Sequence, residues 1–128
     1  MSNTEEKTFA LSEPIFPLAS PKNALGQDYR TRFIAVAPNG GRRTHTDHPA
    51  LPTTPQALAE TARACLDAGA SMMHIHVRDK QERHLLDVEA YRSAIDAITS
   101  ACGDRLVLQI TTEALGKYTP DVQRALVR

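Results

Sequence analysis

The run His74-Ile75-His76-Val77-Arg78-Asp79 is the stretch of this sequence whose residue types and spacing could do chemistry. If it is a β-strand, residues two apart project from one face. Both imidazoles then point the same way, while Ile75 and Val77 face the opposite layer. Two neutral imidazoles on one face can ligate a divalent cation, and nitrogen donors favour Zn2+. A catalytic site of that kind also needs a third ligand and an open position. The competing reading is one hydrogen-bonded core histidine beside another that lines a polar cleft.

Other candidates lie at loop positions. Arg42 and Arg43 follow Asn39-Gly40-Gly41, where guanidinium groups could clamp a carboxylate or phosphate or simply form a solvated basic pair. Thr111-Thr112-Glu113 closes a later apolar run; its hydroxyls could hold a substrate carboxylate or carbonyl, or cap the next turn. His45, Asp47 and His48 lie in a loop rich in Pro and Thr, where a solvated role is the default. His84, beside Glu82 and Arg83, reads as a surface residue.

The elements that must position these residues follow from periodicity. Phe33 to Ala37 is a continuous apolar run, which suits a strand covered on both faces, and Pro38-Asn39-Gly40-Gly41 ends it. Thr54-Pro55 opens a helix as N-cap and first helical residue, and Leu58, Ala59, Ala62, Cys65 and Leu66 form its apolar stripe before Gly69. Met72 to Val77 is the second strand. Asp87 caps a second helix with the stripe Val88, Tyr91, Ile95 and Ile98. Leu106 to Thr111 is the third strand, and Thr119-Pro120-Asp121 starts a third helix. The β-α-β-α-β-α order implies a parallel sheet, doubly wound or closed into a barrel. In a barrel, the two imidazoles would face the axis near the C-terminal end of their strand, where barrel enzymes place their chemistry. Residues 1–31, with Pro14, Pro17 and Pro21, read as an irregular N-terminal arm, and 32–128 as the folded domain.

Composition narrows the function classes. The 128 residues carry 15 Lys plus Arg against 15 Asp plus Glu, so no basic excess points to nucleic acid or anionic lipid. Aromatic content is 5% with no Trp, which is poor for base stacking. Cys65 and Cys102 match neither a disulfide framework nor a zinc motif. Glu5 and Glu6 stand where a secretory leader would be apolar, and no run approaches the roughly 20 residues of a membrane span, so a cytoplasmic protein is expected. No glycine-rich phosphate-binding pattern follows any strand.

Several of these segments together resemble a known family. Ala37-Pro38-Asn39-Gly40-Gly41, then His48-Pro49-Ala50-Leu51-Pro52-Thr53-Thr54-Pro55, then Asp67-Ala68-Gly69-Ala70 before His74-Ile75-His76-Val77-Arg78-Asp79, is similar in content and order to the β-keto acid cleavage enzymes. The resemblance runs from about Arg32 to the chain end. It implies a TIM (β/α)8 barrel, usually in a homotetramer, that binds zinc through the two histidines of the strand motif, here His74 and His76, and a later Glu. The implied reaction converts a β-keto acid and acetyl-CoA into acetoacetate and a new acyl-CoA. It also implies substrate contacts at Thr111 and Thr112, with Glu113 standing where many members have Gly.

Two departures carry expectations of their own. A complete barrel needs roughly 250 residues, and this chain holds about three of the eight β/α units. The third ligand and the catalytic residues are therefore expected in a C-terminal part, and the chain alone is expected to be inactive. Arg42 stands where the aminohexanoate-cleaving member has a Glu that meets the substrate's amine; a guanidinium there favours an acidic or neutral substrate tail. Two rival readings stay open: an inactive fragment or interaction piece of a split barrel, and another metal-dependent barrel lyase or hydrolase. Amidohydrolases use His-x-His normally on the first strand, whereas His74 is on the second.

Overall fold

The computed structural model describes residues 33–128; the expected arm at 1–31 lies outside the described residues. The chain forms β1 (Ala35–Val36), α1 (Pro55–Asp67), β2 (Met72–Ile75), β3 (Val77–Arg78), β4 (His84–Leu85), α2 (Val88–Cys102), β5 (Val107–Ile110) and α3 (Pro120–Leu126). β1, β2 and β5 make a parallel sheet with β2 in the centre. Ala35 pairs with Met72, and Met72 to Ile75 run in register with Val107 to Ile110.

Helix starts are set by side-chain caps. Thr54, Asp87 and Thr119 adopt extended backbone and accept from the amides of Ala57, Ala90 and Val122, so each helix has one otherwise orphaned N–H satisfied. Pro55 and Pro120 occupy first-turn positions, where a missing N–H costs nothing. Gly69, at φ +99°, turns the chain from α1 into β2, a conformation that side chains resist.

The core lies on one side of the sheet. Met73 and Ile75 are fully buried against Leu58 and Ala62 of α1 and Ala94 and Ile98 of α2. Burial along β2 alternates, which puts Met72 and His74 on the opposite face. That face is open within the described residues: Val107 is 57% exposed and Gln109 is exposed. The expectation of a first strand covered on both faces therefore does not hold here, with Phe33 65% and Ile34 46% exposed.

The second strand is also shorter than its apolar run suggested. β2 stops at Ile75, and Val77–Arg78 pairs antiparallel with His84–Leu85 in a hairpin. Asp79 builds its turn: the carboxylate accepts from the amides of Gln81 and Arg83, both at 2.9 Å, and the guanidinium of Arg83 closes on it at 2.8 Å. These donors hold the Asp79 carboxyl below the ordinary carboxylate range, the Arg83 amide contributing most.

Candidate active site

The hairpin brings together residues that lie far apart in sequence. His74 and His76 project to one side, with ring centroids 5.0 Å apart and Nε2 atoms 3.2 Å apart. His74 is half-buried and its Nδ1 lies 2.8 Å from Oε1 of Gln109, its register partner on β5. In this orientation the amide oxygen accepts from Nδ1, and Nε2 of His74 is turned toward His76. His76 is buried, and its Nδ1 faces Nδ1 of His84 at 3.4 Å. His84 is a correction to the sequence reading: it is 4% exposed rather than a surface residue, because its pairing opposite Arg78 turns it inward.

Asn39 holds His76 where sheet pairing ends. Its amide nitrogen donates to the carbonyls of Pro52 and His76, at 2.9 and 2.8 Å, and its oxygen accepts from the His76 amide at 3.3 Å. Arg78 ties the loops together by donating to the carbonyls of Asn39, Gly40 and Glu82 at 3.1, 2.6 and 2.7 Å. Arg78 is thus a buried brace rather than a group free to meet a ligand, and Asn39 a second contributor that local pattern did not single out. Gly41 packs so closely that a Cβ there would lie 3.2 Å from Oε2 of Glu113 and 3.3 Å from Nδ1 of His76.

Burial, with smaller contributions from His74, His84 and Arg78, drives the His76 pKa down to about 4. His76 is therefore neutral at physiological pH. The separation of the two Nε2 atoms suits one cation: two nitrogens bound about 2.0–2.1 Å from a tetrahedral zinc lie roughly 3.3 Å apart. Among the described residues, no cluster of three or more His, Cys, Asp or Glu side chains is arranged to hold a metal.

The remaining sequence candidates fall into two groups. Arg42 lines a groove of about 400 Å3 with Arg78, Glu82, Arg83, His84 and Lys117, a predominantly cationic wall. Thr111 is buried; its hydroxyl accepts from the Glu113 amide at 3.1 Å and its carbonyl receives the Tyr91 hydroxyl at 3.3 Å. The Thr111 hydroxyl thus shapes the turn after β5, and the carbonyl of Glu113 in turn receives Nε2 of His84 at 2.8 Å. The Thr112 carbonyl is held by Gln123 at 2.6 Å. His45 and Asp47 stay on the surface. His45 pairs with Glu82, while Asp47 takes the Thr44 amide and the Arg43 guanidinium.

The family described as BKACE, beta-keto acid cleavage enzyme, matches residues 32–128. The chain belongs to the β-keto acid cleavage enzyme family. It is 35% identical over 84 residues to the 3-keto-5-aminohexanoate cleavage enzyme of Fusobacterium nucleatum, covering 66% of this chain and 31% of that protein. It is 32% identical over 84 residues to the 3,5-dioxohexanoate:acetyl-CoA acetone transferase of Paraburkholderia graminis, covering 65% and 26%. It is 31% identical over 66 residues to the 3-oxoadipate:acetyl-CoA acetyltransferase of Cupriavidus necator, covering 52% and 23%. The chain thus spans about a third or less of the length of these curated relatives. The apo structure of ObcA shares the α/β fold at a TM-score of 0.51 and 21% identity, over 60% of this chain and 19% of that chain. Among the described residues, no helix is long and apolar enough to cross a membrane.

Proposed function

We propose that this chain supplies the first three β/α units of a (β/α)8 barrel, and with them two zinc-holding imidazoles of a β-keto acid cleavage site. The observation that supports the reading is the facing of two Nε2 atoms at 3.2 Å, a separation that suits one tetrahedral cation, while the other nitrogen of each ring is engaged. A divalent ion held there would act as a Lewis acid toward the oxygens of a β-keto acid.

The chain's own residues do the positioning. Gln109 and Asn39 fix the two histidines, while Arg78 draws the loops after β1 and β3 together. The reaction is the transfer of an acyl group between a β-keto acid and acetyl-CoA, giving acetoacetate and a new acyl-CoA, and the names of the relatives support it. Arg42, in its cationic groove, selects a carboxylate or neutral tail and repels an ammonium. Thr111 and Thr112, after β5, lie on the side of the sheet ends that would meet substrate. On this reading the 128 residues do not turn over substrate unless the remaining units complete the site.

The test is formation of a CoA ester from a β-keto acid and acetyl-CoA by the protein with all its β/α units, with and without zinc. Zinc-dependent turnover that is lost in both His74→Ala and His76→Ala is the expected result. Turnover indifferent to chelators and to both substitutions refutes the reading.

A further inference from the structure

We infer that His84 is a positioning residue that fixes the tautomer of His76 and so keeps its Nε2 bare. Nε2 of His84 lies 2.8 Å from the carbonyl oxygen of Glu113. A carbonyl only accepts, so this nitrogen carries a ring proton, and Nδ1 of His84 is left to face His76 as an acceptor. That acceptor faces Nδ1 of His76 at 3.4 Å, closer than Oε2 of Glu113 at 4.0 Å. His76 meets it by carrying its own proton on Nδ1, and its Nε2 then offers a lone pair toward His74.

The lock is needed because a neutral imidazole in water favours the opposite form, with the proton on Nε2. His76 left to itself would mask the atom that must donate. Orientation by a partner on the second nitrogen is what fixes the tautomer of a metal-ligating histidine. The partner is usually a carboxylate or a backbone carbonyl; here it is a second imidazole that passes the constraint on to the Glu113 carbonyl.

His84 is itself held firmly enough to act this way. It is 4% exposed, and its backbone carbonyl receives the Tyr118 hydroxyl at 3.2 Å and Nζ of Lys117 at 3.4 Å. The Tyr118 ring packs edge-on against its imidazole, centroids 6.0 Å apart. The β3–β4 pairing sets His84 opposite Arg78, two residues beyond His76. In the absence of the hairpin, these two rings would not meet.

The metal arm of this inference rests on the proposed donor pair, whereas the tautomer arm does not. The experiment uses the full 128-residue chain, metal-free, at about pH 8, above the ordinary histidine range. Long-range 1H–15N spectra of the histidine rings report which nitrogen is protonated, and zinc titrations follow on the protein with all its β/α units. The native chain is expected to show His76 protonated on Nδ1. His84→Leu shifts that proton to Nε2 and weakens zinc binding by about 10–100-fold. His84→Gln, whose amide can donate to Glu113 and accept from His76, keeps the native tautomer and most of the affinity. If His84→Leu fails to fold, the native tautomer and the glutamine variant still decide the matter. A native His76 protonated on Nε2, or a His84→Leu chain that keeps the Nδ1–H form, overturns the inference even if zinc binding falls. A protein with all its β/α units that binds no zinc, while the chain shows the His84-dependent tautomer, removes the metal reading and leaves the lock standing.

Discussion

Replacing Asn39 by alanine removes the single side chain that satisfies three backbone groups around His76. The two carbonyls it serves, of Pro52 and His76, lie 2.8–2.9 Å from its amide nitrogen, and the residue is 3% exposed, so bulk water does not replace it freely. A buried polar group left unpaired costs about 1–3 kcal/mol. Three such groups set an upper bound well above the expected loss, because some of them will relax toward solvent in the variant. A destabilisation of about 3 kcal/mol is the working figure. Asn39→Asp is the sharper perturbation: it is isosteric and still accepts from the His76 amide, but it turns a carboxylate oxygen toward two carbonyls. It should therefore lose at least as much as alanine. Urea unfolding of the full chain at neutral pH measures both losses, and ring spectra of His76 report whether its position is disturbed. A loss under about 1 kcal/mol for Asn39→Ala, or an aspartate variant more stable than the alanine one, would refute this account of how His76 is held.

Two further outcomes follow from the same site. The folded chain resists protonating His76 until about pH 4, whereas the unfolded chain takes that proton near 6.5, so stability is fully present above about 6.5 and is lost as pH falls toward 4. At about 1.4 kcal/mol per pH unit the loss reaches about 3 kcal/mol; urea midpoints of the metal-free chain should fall through that window, and His76→Gln should flatten the dependence. Arg42→Glu in the protein with all its units should shift preference from dicarboxylic toward aminated β-keto acids by about tenfold or more in kcat/KM, and an unchanged ratio removes Arg42 from substrate selection.

Local signals carried most of the architecture. Thr54, Asp87 and Thr119 were legible as caps because a side-chain acceptor followed by a helical stripe is a local pattern, and each does cap its helix. Gly69 was legible for the same reason. The shared side of His74 and His76 followed from strand alternation. What escaped was built by contacts over long sequence separations. The hairpin turns at Glu82 with φ +60°, a conformation usually marked by Gly or Asn, so its signal was absent. His84, after Glu82 and Arg83, looked solvent-facing, and only the hairpin partner opposite it decides which way its ring points. Asn39 sat in a Pro-Asn-Gly-Gly segment that reads as turn chemistry, whereas its amide reaches a carbonyl 37 residues on. Gln109 matters because of register, and register between parallel strands is not written in either strand alone.

The most direct test is zinc titration of the 15N-labelled protein with all its β/α units, with the histidine ring nitrogens in view. The account predicts that Nε2 of His74 and of His76 both shift on binding, in a single event of one ion per chain, while their Nδ1 protons persist. It predicts further that either His74→Ala or His76→Ala abolishes that event. Zinc that perturbs His45 or His48 instead, or that binds unchanged in both variants, would contradict the account.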